Sequence, residues 1–177
     1  MLVPASLAER VAARHAHESH VAAAVAEDPR PLVGYAALLA VYGTVTGLST
    51  LALRRKRRDL PTVTVKEVAL MGLATAHLSR LVTKDSVTSV LRVPFTRFEE
   101  PAGEGEVNEE VIGHGLRHAV GELITCPFCA AQWIATALVV GRVAVPNLTS
   151  AVVTVSAVAR VSDFLQLLYG LAREAQE

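Results

Sequence analysis

The chain has 177 residues, 51% hydrophobic, 19% charged and 5% aromatic, and its 17 Lys and Arg balance 17 Asp and Glu. That composition argues against a disordered tail, which needs low hydrophobicity and high net charge, and against a nucleic-acid binder, which shows a basic surplus; two cysteines are too few for a disulfide scaffold. A mean hydropathy of +0.38 with so little charge points to lipid as the surrounding solvent.

Residues 1–30 form a polar tail or exposed helix. They lack the apolar core of a signal peptide, and the alanine-rich stretch from Ala5 to Ala26 is interspersed with charges and stopped by Asp28 and Pro29. His15, His17 and His20 are read as surface residues of this tail, with metal binding as the alternative. From Pro31 to Leu53 there is no Asp, Glu, Lys, Arg or His. A helix needs about 20 apolar residues to cross a bilayer core of roughly 30 Å, so 31–53 is the first membrane span. Within it, Gly43 and Gly47 form a GxxxG pattern that lets another helix approach closely, in a homodimer or within the chain. Arg54, Arg55, Lys56, Arg57 and Arg58 follow at once. Basic residues flanking a span stay in the cytoplasm, which places the N-terminus outside and offers a contact for anionic lipid.

The next segment starts as a helix: Thr64 and Glu67 have the spacing of a reciprocal cap. Its apolar run from Val68 to Ala76 is short, and His77 and Arg80 interrupt it. If it crosses, Lys84, Arg92, Arg97 and Arg117 lie outside; counting basic residues favours an interfacial or re-entrant segment. Residues 83–118 read as a polar loop, broken by Pro94, Pro101, Gly103 and Gly105 and kept in solvent by Glu99, Glu100, Glu104 and Glu106. Asn108, with Glu109 and Glu110 behind it, is expected to cap a short helix. Two apolar blocks close the chain, Leu123 to Gly141 and Val143 to Ala172, the second interrupted by Arg160 and Asp163. Only Arg142 to Asn147 separates them, and Pro146 forces a turn, so they form a helical hairpin whose far ends share a membrane face.

Three motifs and a tryptophan then occur in order: Arg-Leu-Val-Thr-Lys-Asp from Arg80 to Asp85, Leu-Arg-Val-Pro-Phe-Thr-Arg from Leu91 to Arg97, Gly-Glu-Leu-Ile-Thr-Cys-Pro-Phe-Cys from Gly121 to Cys129, and Trp133. Their combination resembles the signature of a family of small bacterial multi-pass membrane proteins of unknown function, which includes a sporulation membrane protein. The resemblance spans about residues 68 to 170 and makes 54–172 the family-like membrane domain. It implies a multi-pass bacterial membrane protein and brings no reaction, substrate or catalytic residue. The N-terminal tail, first span and basic run depart from the family pattern.

Three constellations carry possible chemistry. Cys126 and Cys129 stand at the start of a membrane helix, where unpaired N–H groups and the helix dipole favour a thiolate. The spacing resembles a glutaredoxin-like site, yet no βαβ pattern surrounds it; a redox pair, a structural or regulatory disulfide or thiol pair, and a metal site all stay open. His114 and His118, at i and i+4, could join Cys126 and Cys129 in a tetrahedral zinc site, or be ordinary interfacial residues. Arg160 and Asp163 are intramembrane charges, expected to face protein and pair with each other, with Arg80 as a further partner for Asp163. The fold class expected is all-α, an integral membrane bundle of three to four membrane helices with a C-terminal hairpin. The expected function is an envelope structural or partner-binding role in the bacterial cytoplasmic membrane, more in keeping with a non-enzyme. Its partners are the lipid bilayer, other membrane proteins and a second copy through Gly43 and Gly47, with no nucleic acid. The rivals are a membrane thiol-disulfide oxidoreductase on Cys126 and Cys129 and, more remotely, an ion pathway through Arg160 and Asp163.

Overall fold

The computed structural model describes residues 15, 19, 30–55, 62–103 and 105–175. The expected helix from Ala5 to Ala26 falls almost wholly outside these residues, as do His17, His20, Lys56, Arg57 and Arg58. In chain order the elements are α1 (Leu32–Arg55), α2 (Val65–Thr83), the short α3 (Ser89–Arg92), β1 (Thr96–Gly103), β2 (Glu106–Val111), α4 (Gly115–Thr125), α5 (Pro127–Ala144) and α6 (Pro146–Glu174). The protein is therefore mostly helical, and α1, α5 and α6 are each long and apolar enough to cross a membrane. Only 6%, 11% and 17% of their most apolar stretches, in that order, is buried within the protein.

The sequence explains where the helices begin and stop. Thr64 caps α2: its hydroxyl accepts from the Glu67 N–H at 3.3 Å, and its own N–H donates to Glu67 Oε2 at 2.8 Å, as the Thr-x-x-Glu spacing predicts. Proline stands first in α5 and in α6, where it has no N–H to leave unpaired. Val145 is the one residue between them, so they fold into the expected tight hairpin. Its arms approach closely beside the turn: a Cβ on Gly141 would come 2.7 Å from Thr149 Oγ1.

Contacts between elements fix the direction of each helix. Glu67, at the start of α2, pairs with Arg142 at the end of α5; His77 meets Asp163 of α6 at 3.5 Å. Helix α2 thus lies lengthwise along the hairpin. Helix α1 runs parallel to α5: Tyr42 packs edge-on against Trp133, centroids 5.1 Å apart, and its hydroxyl lies 2.7 Å from Thr136 Oγ1. Nearer its start, Gly34 lets α1 cross α4, since a Cβ there would sit 2.7 Å from Ala119 Cβ. Two ends result. The turn end holds Arg54, Arg55, Lys66 and Arg142, and the other end carries a polar cap built from residues 84–126.

The cap corrects two expectations. Residues 96–111 contain an antiparallel ribbon, so the fold is not all-α; Thr96 faces Val111 and Gly103 faces Glu106. Asn108 caps no helix but sits in β2 opposite Glu100. Gly105, at φ +78°, supplies the left-handed residue that reverses the chain, and the ribbon tolerates Pro101 because β1 is an edge strand. A cap after Asn108 would have left the acidic side chains in solvent, whereas the ribbon turns Glu109 inward to a guanidinium.

Candidate functional site

The polar cap is organised around Arg92, which is 1% exposed, and Glu109, whose side chain is 5% exposed. Arg92 Nε and Nη2 bind the two carboxylate oxygens of Glu109 at 2.9 and 3.1 Å. The remaining donors reach the Val82 and Asp85 carbonyls and the hydroxyls of Thr88 and Ser89, at 2.7 to 3.0 Å. Thr96 donates to Glu109 at 2.8 Å. Burial pushes the Glu109 carboxyl up, but hydrogen bonds from Arg92, Ser89 and Thr96 outweigh it and hold the group below the ordinary carboxylate value. A planar fork of five donors fits this arrangement, and lysine could not fill it.

Other residues quoted from the motifs surround this centre. Arg80 pairs with Glu106 of β2, and Lys84 donates to Asn108 Oδ1 at 3.2 Å. Gly121 lets α4 lie against the ribbon: a Cβ there would fall 2.4 Å from Val111 Cγ1 and 3.2 Å from the Phe95 carbonyl oxygen. Glu122 accepts from the Tyr35 hydroxyl and so ties α1 to the cap. These side chains assemble the cap, and their bonds go to one another.

The thiols stand where α4 ends and α5 begins. Cys126 is both the last-turn cap of α4 and the N-cap of α5, its sulfur accepting from the Cys129 N–H at 3.3 Å. Both are free thiols; Cys126 is half-buried and Cys129 exposed. Burial raises the Cys126 pKa, but hydrogen bonds from the Cys129 thiol and from the N–H groups of Cys129 and Phe128 outweigh it, aided by the Lys84 ammonium, and the net shift is downward. Phe128 beside them is 89% exposed. The only sheet among the described residues is the two-stranded ribbon, so no thioredoxin-like frame holds the pair.

The histidines are not brought to the thiols. His114 precedes α4 in extended backbone, and His118 lies 3.6 Å from Glu122 and 3.3 Å from the Gly113 carbonyl. At 1.5 Å rise per residue, His118 and His114 lie about 12 and 18 Å from Cys126 along α4. Among the described residues no cluster of three or more His, Cys, Asp and Glu could hold a metal ion.

Arg160 and Asp163 do come together, at 3.6 Å, and the guanidinium also lies over the Phe164 ring, 4.8 Å from its centroid. Arg80 is not the further partner of Asp163, because Glu106 holds it; His77, which the sequence reading passed over, takes that place. One helical turn separates His77 from Arg80, so α2 carries both on neighbouring levels. Beside this pair a groove of about 660 Å³ runs between α2, α5 and α6. Its wall is largely apolar, with Val68, Met71, Gly72, Ala131, Ala135 and Val139, and its charged lining residues are Arg80, Arg142 and Arg160. Apolar periodicity announces such surfaces one helix at a time, and the groove itself exists only once three helices are placed.

The family described as Protein of unknown function (DUF1360) matches residues 70–169, from α2 through the cap and the hairpin. Sporulation protein YjcA of Bacillus subtilis (strain 168) is 27% identical over 104 residues, covering 57% of this chain and 88% of that protein. No solved structure matches the chain. The matched span leaves α1 outside and takes in the buried Arg92 and Glu109, the thiol pair and all of the groove's lining but Val63 and Val68. With more than half of its length matched, the chain belongs to this family of proteins of unknown function.

Proposed function

We propose that the chain is a multi-pass protein of the bacterial cytoplasmic membrane, crossing it four times through α1, α2, α5 and α6, with a structural or partner-binding role at the envelope. The observation that carries this reading is how little of α1, α5 and α6 the protein itself buries. Apolar helices this exposed need lipid around them, and at about 1.5 Å per residue the 24, 18 and 29 residues of α1, α5 and α6 reach or approach the roughly 30 Å core. Helix α2, with 19 residues, lies lengthwise against the hairpin and crosses with it.

In this reading the turn end, with Arg54 to Arg58, Lys66 and Arg142, faces the cytoplasm. The cap, the thiol pair and the segments leading into α1 and out of α6 face outward. The partners are the bilayer, other membrane proteins and a second copy through Gly43 and Gly47, where an added Cβ would meet nothing within 4 Å. A non-catalytic role fits a cap whose polar side chains are taken up by one another. The Bacillus subtilis relative is named a sporulation protein, and a role at the envelope during sporulation is part of the proposal.

Alkaline carbonate washing of membranes from cells expressing the full chain tests the reading. The protein is expected to stay in the pellet and to leave it only with detergent. Release by carbonate alone would overturn membrane crossing.

A further inference from the structure

We propose that the groove between α2, α5 and α6 holds one acyl chain of an anionic glycerophospholipid, with its phosphate at Arg80 and its ester oxygens at Arg160. The inference rests on the membrane reading above, because only lipid surrounds the groove at that depth. Its volume, about 660 Å³, falls within the range of small-molecule sites. It extends from Phe128 to Arg142 along α5, about 21 Å at helical rise, and so exceeds the roughly 15 Å depth of one leaflet.

The wall provides room for a chain. Gly72 lines it, and a Cβ there would meet nothing within 4 Å; alanines at 76, 131 and 135 keep the opposing faces thin. The charges supply the polarity of the occupant. Three arginines line the groove and no acid does, since Glu106, Glu67 and Asp163 approach their partners from outside the lining. Each guanidinium is paired, but the charged groups that a molecule in the groove would touch are guanidinium donors, which suits an anionic head over a zwitterionic one.

Geometry sets the end at which the head lies. Arg142 pairs with Glu67 at the turn end, and its side chain is 27% exposed. At the cap end Arg80 gives Nε and Nη2 to Glu106, yet its side chain is 44% exposed, which leaves its Nη1 edge for a phosphate. Arg160 Nε is buried without a hydrogen-bond partner, and its nearest carboxylate, Asp163 at 3.6 Å, is beyond hydrogen-bond distance. An unsatisfied buried donor is costly, and an ester carbonyl would satisfy it. His77 and Asp163 are in contact, so α2 and α6 can be put in register. Arg80 then lies one turn toward the cap and Arg160 one turn deeper, about 9 Å apart along the groove. That order, phosphate donor outside and carbonyl donor inside, is the order of groups in a glycerophospholipid.

The test uses the full chain purified in mild detergent, delipidated, and titrated with phosphatidylglycerol or phosphatidylcholine of identical chains under native mass spectrometry. One tightly retained phosphatidylglycerol per chain is expected, favoured about tenfold over phosphatidylcholine, whose phosphate is already offset by its own choline cation. Gly72→Leu and Ala135→Leu should each abolish retention of both lipids while the protein stays monodisperse with an unchanged circular dichroism melt. Arg80→Gln should lose the preference for phosphatidylglycerol and keep weak retention, whereas Arg160→Gln should weaken retention of both lipids alike. Equal retention by wild type and both groove-filling variants, equal affinity for the two lipids, or a groove-dependent dimer in place of lipid would each overturn the proposal. A protein that resists carbonate yet retains no lipid defeats this inference alone; one released by carbonate defeats the membrane reading.

Discussion

The cap and the long apolar helices solve opposite problems with one chain. In the cap, charge is taken inside and satisfied there: Arg92 and Glu109 are nearly inaccessible, and Nε, Nη1 and Nη2 of the guanidinium all have acceptors. In α1 and α6 large apolar residues such as Leu39, Val155 and Leu168 are exposed, and the ion pair of Arg160 with Asp163 is loose, at 3.6 Å. The comparison shows where each region finds its stability. The cap is held by internal polar geometry, whereas the helices rely on the solvent around them and on a few close approaches.

Breaking the cap should therefore have the largest effect. Arg92→Ala leaves Glu109 buried and unpaired, which is expected to cost about 3–5 kcal/mol and to be seen as a large loss of melting temperature in detergent. Arg92→Lys should recover little of it, because an ammonium cannot reproduce the fork. The pH dependence follows from Glu109. Its folded pKa is depressed, so its contribution is complete above the ordinary carboxyl value of 4.5 and is lost as pH falls below that toward the folded value. Melts recorded downward from pH 7 should show this loss in wild type and lack it in Glu109→Gln.

Glycine substitutions sharpen the contrast. Gly121→Ala drives a Cβ to within 2.4 Å of Val111 Cγ1, and overpacking of this kind costs about 1–3 kcal/mol. Gly43→Ala meets no atom of its own chain within 4 Å, so it should stabilise the monomer by up to about 1 kcal/mol through helix propensity. If Gly43 and Gly47 join two copies, Gly43→Ala will instead weaken dimer cross-linking in native membranes.

Within the helices, Asp163→Ala is expected to cost about 1–2 kcal/mol, less than in the cap because the carboxylate is 43% exposed, and the double variant with Arg160→Ala should cost less than Asp163→Ala alone. Equal melts for Asp163→Ala and wild type would contradict the pairing. The smallest effect is expected at the thiols. Serine caps helices well, so the double variant Cys126→Ser, Cys129→Ser should melt within about 0.5 kcal/mol of wild type. A loss of about 2–4 kcal/mol would instead show that a disulfide forms and stabilises the protein.

The amount legible in the sequence follows the same division. The apolar blocks, the Thr64 cap and the proline turn of the hairpin are local signals, and the structure carries each of them. The ribbon was not legible, because Glu106 to Val111 has an acidic surface pattern equally suited to a capped helix, and only Arg92, from another element, decides it. Arg160 with Asp163 was readable from i, i+3 spacing, whereas His77 as the third member and Glu106 as the partner of Arg80 depend on helix register. The four-ligand zinc set failed for a geometric reason: α4 is continuous from Gly115 to Thr125 and keeps its two ends apart.

Sidedness is the most direct test of four crossings, and the protein's only two cysteines lie at one end of it. Intact cells or protoplasts would be treated with an impermeant phosphine and then an impermeant maleimide, using wild type and an Arg57→Cys variant in a background lacking both native thiols. Four crossings with the basic run inside give labelling of Cys129 in intact cells, and labelling of the Arg57→Cys variant only after permeabilisation. Labelling of both in intact cells, or of the Arg57→Cys variant alone, would contradict it.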